Sequence, residues 1–348
     1  VSTKSEVGKD GFFTANLRIV SLSCTADAEQ RETANVLLTN QEHDLTIISA
    51  DQNYAARDEA IAINSYTTVL RRPRVPHEVF ATYWRDVHGP LCSRIPGLGW
   101  YVQNHFHREQ DAHLWPDVEG IKPFENYVLD GGVEIGFQSR ADQEAFNQAC
   151  SILFADEQNM FAATVAYSLP GGSQTFVDRV ADPVPNGDDG LDRMHIHFGS
   201  QTSNPAAFAE FMGAFSKTLA SDTAVLKVRL HLPDRYDNAK PAPPAPDVDH
   251  MVTEERQLIA ILELAFANPI ARRSFYGGDL FRSTLTGQST NISHYAAFAV
   301  SGIYTYVRDK KLTTAGLRGS RPAQLIDALG ATNQIVDDVQ NLLLTGRI

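Results

Sequence analysis

The 348-residue chain is 43% hydrophobic, enough to bury two ordinary cores, and its net charge of -12 repels phosphate backbones. No apolar run approaches the ~20 residues of a membrane span, no Lys/Arg face with interleaved aromatics suggests a nucleic-acid partner, and the start lacks the basic-then-apolar order of a secretory signal. Cys24, Cys92 and Cys150 have no C-x-x-C spacing and fit neither a disulfide framework nor a cysteine-rich zinc site, so reduced thiols and a cytoplasmic protein are expected.

Residues 1–58 read as an N-terminal extension with short β-rich runs at 17–23, 35–38 and 45–49. From Ile61 the pattern sharpens. Ile61–Leu70 is β-branched and aromatic and stops at Arg71-Arg72-Pro73, which predicts a strand. Pro76 suits a first helical turn, and Val79, Phe80, Tyr83, Trp84, Val87 and Leu91 recur at helical spacing. After Pro96-Gly97, Trp100–His107 alternates with period two. A strand over 133–137, a helix over 141–155 and a strand over 164–168 complete β-α-β-β-α-β, a ferredoxin-like unit over 59–178. The aperiodic Pro/Gly/Asp stretch 179–192 is the predicted linker.

The same order then recurs over 193–348, with strands at 194–198, 226–232, 257–265 and 295–307, helices at 205–219 and 270–285, and an amphipathic C-terminal helix over 324–344. The expected class is α+β: two ferredoxin-like units whose antiparallel sheets pack face to face as an α+β barrel. Each sheet must bury its bare face, and the space between the sheets is the expected pocket. Having both sheets in one chain leaves either a monomer with an intrachain pseudo-dimer or a homodimer through the last helix.

The stretch Phe80–Phe106 holds Tyr83-Trp84, Asp86, His88-Gly89-Pro90, Pro96-Gly97 and then Tyr101, Gln103 and His105. It resembles the EthD domain, a branch of the dimeric α+β barrel superfamily. The resemblance implies an enzyme without organic cofactor acting on an oxygenated aromatic or polyketide-like small molecule, and implies a place by the pocket for His88. The second half carries no His-Gly-Pro run.

From the residues themselves, Phe80, Trp84 and His88 fall at i, i+4 and i+8, which puts His88 on the sheet-packing helix face, as a general acid or base or as a structural histidine at the strand–helix junction. Tyr101, Gln103, His105 and His107 share one strand face. If that face looks into the barrel, Tyr101 and His105 join His88 in catalysis; otherwise it meets solvent. Tyr66, Tyr83, Trp84, Gln103, His195 and His197 are the candidate substrate-binding residues. The His195/His197 pair could ligate zinc or iron with further ligands, but the spacing of His231, His250 and His294 recommends none of them, and no metal is expected. Asp86 cannot face His88 from two residues away, and Cys92 reads as a buried small hydrophobe. A lyase or isomerase is the expected class, with a cofactor-free monooxygenase on a phenolic substrate and a non-catalytic binder of a hydrophobic molecule as alternatives.

Overall fold

The computed structural model describes residues 52–110 and 113–347; the three N-terminal β-rich runs lie outside them. The first half runs β1 (Ile63–Arg71), α1 (His77–Tyr83), a π turn (Trp84–His88), α2 (Gly89–Ser93), β2 (Trp100–Phe106), β3 (Lys122–Pro123), β4 (Gly131–Phe137), α3 (Arg140–Ala149), α4 (Ser151–Met160) and β5 (Phe161–Leu169). β6 (Ser173–Asp178) and β7 (Asn186–Gly187) follow. The second half runs β8 (Asp192–Ser200), α5 (Pro205–Ala220), β9 (Val225–His231), β10 (Ile259–Phe266), α6 (Pro269–Gly277), α7 (Asp279–Ser283), α8 (Leu285–Asn291), β11 (Ile292–Arg308), β12 (Lys311–Leu312), α9 (Thr314–Arg318), α10 (Ser320–Leu329) and α11 (Asp337–Thr345).

All twelve strands belong to one sheet, antiparallel except where β3 meets β11, in the order β5-β1-β4-β2-β11-β8-β10-β9-β6 with β3, β7 and β12 beside β11. The long β11 joins the two halves: residues 292–299 pair with β8 and residues 300–308 with β2. At the two ends of this path lie β5 and β6, which are separated in the chain only by Pro170, Gly171 and Gly172. Helices pack on the outward faces, with Phe80, Trp84, Phe146 and Leu153 buried over the first half and Phe208, Met212, Phe215 and Phe275 over the second.

Four expectations need correction. The helix expected over 141–155 is divided at Cys150 into α3 and α4. The helix expected over 324–344 is two, because Gly330 takes the left-handed conformation (φ 60°) that caps α10. The helix expected over 270–285 is broken where Gly278 turns extended between α6 and α7. The space between the sheets is not the pocket, because it is filled by side chains.

Alternation along the strands decides what fills it. Tyr66 of β1, Glu134 of β4, His195 and His197 of β8, Arg229 and His231 of β9 and Glu263 of β10 all turn inward and are buried. Arg229 forks onto Glu134 from across the layer, Nε to Oε1 at 2.7 Å and Nη2 to Oε2 at 3.0 Å. Its Nη1 reaches Asp58 at 3.3 Å, and Asp58 also accepts from Arg308 at 3.0 Å. The two guanidinium groups lie over the Trp100 ring at 5.0 and 4.0 Å from its centroid.

Removing Glu134 leaves Arg229 sharing the single carboxylate of Asp58 with Arg308, one buried cation in excess, and breaking a buried pair costs about 3–5 kcal/mol. Glu134→Ala should therefore lower unfolding free energy by about that amount in urea titrations at neutral pH. A loss below about 1 kcal/mol, the worth of a solvent-exposed pair, would show that water reaches Arg229 in the folded protein.

Candidate active site

The helical run 77–93 cannot keep one hydrogen-bond register, because Pro90 has no N–H to give. The Gly89 amide instead reaches five residues back to the Trp84 carbonyl, which makes 84–88 a π turn. With Gly89 committed to Trp84 and Pro90 without a donor, the Arg85 carbonyl is free to accept the Tyr306 hydroxyl at 2.7 Å. A Cβ on Gly89 would overlap the Tyr306 ring. The His-Gly-Pro run is thus a helix device: glycine admits the tyrosine, proline shifts the register, and His88 is held facing α4.

His88 is 6% exposed, and its Nδ1 lies 2.8 Å from Asp156 Oδ2 on α4. Asp156 also accepts from the Tyr83 hydroxyl at 2.5 Å and from Asn159 Nδ2 at 3.1 Å. The His88 hydrogen bond, helped by that from Tyr83, holds the Asp156 carboxyl down to about 2. Asp156 is therefore an ionised acceptor for a proton on Nδ1, and Nε2 has no hydrogen-bond partner among the described residues. A carboxylate that orients a histidine in this way is an arrangement that can support proton abstraction.

His88 lines a cavity of about 280 Å³ between these helices and the outer face of β1, β2, β4 and β5. Its wall is chiefly apolar, with Val69, Trp84, Val133, Ile135, Phe137, Phe146, Leu153 and Phe161, and among the described residues no Lys or Arg lines it. Ala242, Pro243 and Pro244 also line it. They belong to the insert between β9 and β10, so the second half helps to wall the first half's cavity. The insert is tied to β5 by Ala166 N–H to Ala242 O at 2.8 Å and Thr164 N–H to Asp249 O at 2.9 Å, and His250 Nδ1 meets the Thr164 carbonyl at 2.7 Å.

Glu157 lines the same cavity and is 9% exposed. Burial raises its carboxyl to about 7, against a single hydrogen bond, from Thr164 Oγ1 at 3.2 Å.

Tyr101, Gln103 and His105 face the helices, neither the barrel interior nor solvent. Tyr101 reaches the cavity wall, and its hydroxyl accepts from Gln103 Nε2 at 2.7 Å. Gln103 also donates to the Trp84 carbonyl at 3.1 Å, and its Oε1 lies 3.0 Å from His105 Nε2. His105 stacks beneath Trp84, 4.2 Å between centroids, and burial drives its pKa well below the usual imidazole range. Cys92 is buried beside them, with its thiol pushed up by burial.

Tyr66, His195 and His197 lie on the opposite face of the sheet, in the layer between the two halves. The Tyr66 hydroxyl meets His195 Nδ1 at 2.6 Å and His197 Nε2 at 3.3 Å, and the Tyr127 hydroxyl meets His197 Nδ1 at 2.9 Å. Burial lowers His195 to about 4 and holds His197 well below the usual imidazole range, so both are neutral. Beside them Glu134, His231 and Glu263 bring one ligand atom each within 4.8 Å of one another, a geometry that could hold a cation. The carboxylates Asp58, Glu134 and Glu263 are already matched by Arg229, Arg308 and Lys227, the last 3.3 Å from Glu263. A dication would have to displace these partners or bury excess positive charge, so the cluster fits an ionic core better than a metal centre.

Sequence reading missed Asp156, Glu157 and the Pro243-Pro244 wall. One signal was available: Leu153, Glu157 and Met160 make the buried stripe of α4, and a glutamate at a stripe position is out of place in a purely structural helix.

No family model matches the chain, and no curated protein matches it in sequence. Among solved structures, a protein from Fusobacterium nucleatum subsp. nucleatum provisionally described as a monooxygenase is similar over 73% of this chain and 96% of its own, at 9% identity and a TM-score of 0.45. One from Lactobacillus acidophilus, described in the same provisional way, covers 73% and 98% at 9% identity and 0.41, and an anthrone oxidase-like protein covers 77% and 99% at 10% and 0.42. Likeness at this level carries nothing about substrate or reaction. No helix among the described residues is long and apolar enough to cross a membrane.

The raised Glu157 carboxyl has a consequence for stability. Its ordinary value is 4.5 and its folded value about 7, so the fold binds this proton more tightly than the unfolded chain does. The stabilisation is complete below pH 4.5 and lost as pH rises through about 7, a span worth roughly 3 kcal/mol. Glu157→Gln should remove that part of the pH dependence, measured as the difference in urea unfolding free energy between the two proteins across this interval. Parallel curves for wild type and variant would show that the carboxyl is solvated.

Proposed function

We propose that the chain is an enzyme in which His88, oriented by Asp156, removes a proton from a phenolic or enolisable aromatic small molecule bound in the cavity under α1 and α4. The observation that carries this reading is the free Nε2 of a carboxylate-backed histidine at an apolar cavity. In this reading the chain is an intrachain α+β barrel of two ferredoxin-like units, 59–178 and 193–348, and the EthD-like run 80–106 builds the site. Trp84 and Tyr101 shape the wall beside the substrate, and Tyr83 steadies Asp156.

We favour oxygenation without an organic cofactor as the fate of the anion. Decarboxylation calls for a substrate carboxylate, and among the described residues the cavity offers no Lys or Arg to receive one. An electron-rich carbanion in an apolar cavity can instead reduce dioxygen. The anion and dioxygen give a carbon-bound peroxide, which takes up the proton held by His88; loss of water then turns the original methylene into a carbonyl. One oxygen atom ends on carbon and the other in water. Lyase and isomerase fates share the first proton transfer and differ in needing no oxygen.

The test is turnover of hydroxylated aromatics, anthrones and lactones, followed by product mass and dissolved oxygen together. We expect oxygen consumption equal to product, and a fall of about a hundredfold or more in kcat for His88→Ala, the range for a lost general base. Asp156→Asn should lower kcat while leaving KM near wild type, because it disturbs the tautomer and not the wall. Conversion without oxygen loss would return the chain to the lyase or isomerase class, and turnover indifferent to His88 would remove that residue from the mechanism.

A further inference from the structure

Glu157 has no part in the proton transfer from substrate to His88, yet it lies in the wall of the same cavity. Its Oε2 accepts the one hydrogen bond from Thr164, while Oε1 has no hydrogen-bond partner and no Lys, Arg or His pairs with the carboxyl among the described residues. Buried carboxylates are normally paired with a cation, so a solitary one in an apolar wall is stable as the acid, which holds an O–H for donation. We propose that Glu157, as the neutral acid, is the hydrogen-bond donor that recognises a carbonyl oxygen on an aromatic ketone or quinone bound in this cavity, an inference that rests on the cavity being the substrate site.

The arrangement assigns the two ends of a ligand. A ligand with an acidic hydroxyl or methylene toward His88 presents its carbonyl to Glu157, and charge delocalised onto that oxygen after deprotonation strengthens the Glu157 hydrogen bond. The alternative occupant is an organic cation that pairs with ionised Glu157, and the two readings demand opposite pH dependence. The other titratable groups facing Glu157 are His88 from the π turn, Asp156 on its own helix, Cys92 of α2, Cys150 ahead of α4, and His250 of the insert, which shares Thr164 with it. Asp156 stays ionised and burial raises both thiols, which leaves His88 and His250 as the groups whose titration must be separated experimentally, by His88→Ala and His250→Asn.

Binding serves as the readout, so that turnover is not required. Calorimetry on the full chain would compare 2-acetylnaphthalene with 2-ethylnaphthalene, which has similar shape and no carbonyl; neither ionises. The ratio of their affinities should fall by about tenfold between about pH 5.5 and about pH 8.5, the upper end for one neutral hydrogen bond. Glu157→Gln, which keeps an N–H donor, and Glu157→Leu, which has none, should both give a flat ratio, with the ketone favoured more by the glutamine variant. His88→Ala and His250→Asn should each keep the wild-type fall. A flat wild-type ratio, a fall that survives Glu157→Leu, or one abolished by His88→Ala or His250→Asn overturns the assignment of Glu157 and leaves the proton-transfer reading standing. A flat ketone ratio with affinity for 2-naphthylmethylammonium rising over the same interval overturns it in favour of a cationic ligand. If neither naphthalene binds, the cavity is not the substrate site and both readings fall.

Discussion

The fork of Arg229 onto Glu134 is the contact on which the rest of the molecule depends. It crosses the layer between the halves and fixes β4 against β9, strands that are far apart in the order of the sheet. Because side chains alternate along a strand, holding Glu134 inward commits Val133 and Ile135 to the outer face, where they form part of the cavity wall. A slip of one residue would send a carboxylate into the apolar cavity and two aliphatic side chains among the guanidinium groups. The ionic layer thus sets the register from which the site is built, a role in which buried charges contribute specificity more than net stability.

A second constraint acts along the helix. His88 must meet a carboxylate 68 residues away in sequence, and the angle at which it does so is set by the π turn. That turn follows from Pro90, and the carbonyl it frees is taken by Tyr306 of β11, which reaches its place only because residue 89 has no side chain. The second half therefore acts on the first half's site twice, through Tyr306 beneath the π turn and through Pro243-Pro244 in the cavity wall. This interdependence gives a physical reason for one chain to carry both halves when only one of them has a His-Gly-Pro run.

Much of the fold was legible because its signals are local. The eight long strands and the helices expected from Pro76, over 141–155 and over 205–219 announce themselves through period two and period 3.6, although their bounds shift by a few residues. His88 was legible as a buried helical histidine. Its partner was not, since nothing near Asp156 in the chain distinguishes it from a surface aspartate and the meeting is tertiary. The polar face of β2 misled for a related reason. Tyr101, Gln103 and His105 suggested a lined pocket or a wet surface, but they satisfy one another and the Trp84 carbonyl beneath the helix, a dry solution that sequence pattern cannot separate from the other two. The His195/His197 pair likewise became part of a neutral hydrogen-bonded core with Tyr66 and Tyr127.

The two polar regions of the protein divide the electrostatic labour. Between the halves, carboxylates and cations are matched one against another, and their charges are fixed by mutual attraction. Among the described residues no Lys or Arg lines the cavity, so the environment of each group there sets its protonation. Asp156 and Glu157 are neighbours on one helix, yet hydrogen bonds from His88 and Tyr83 hold the first at about 2 while burial lifts the second to about 7. In the proposed mechanism, two adjacent carboxyls pushed in opposite directions serve one ligand at neutral pH, Asp156 by orienting the base His88 and Glu157 as a donor. A matched cation placed in that wall would abolish the difference.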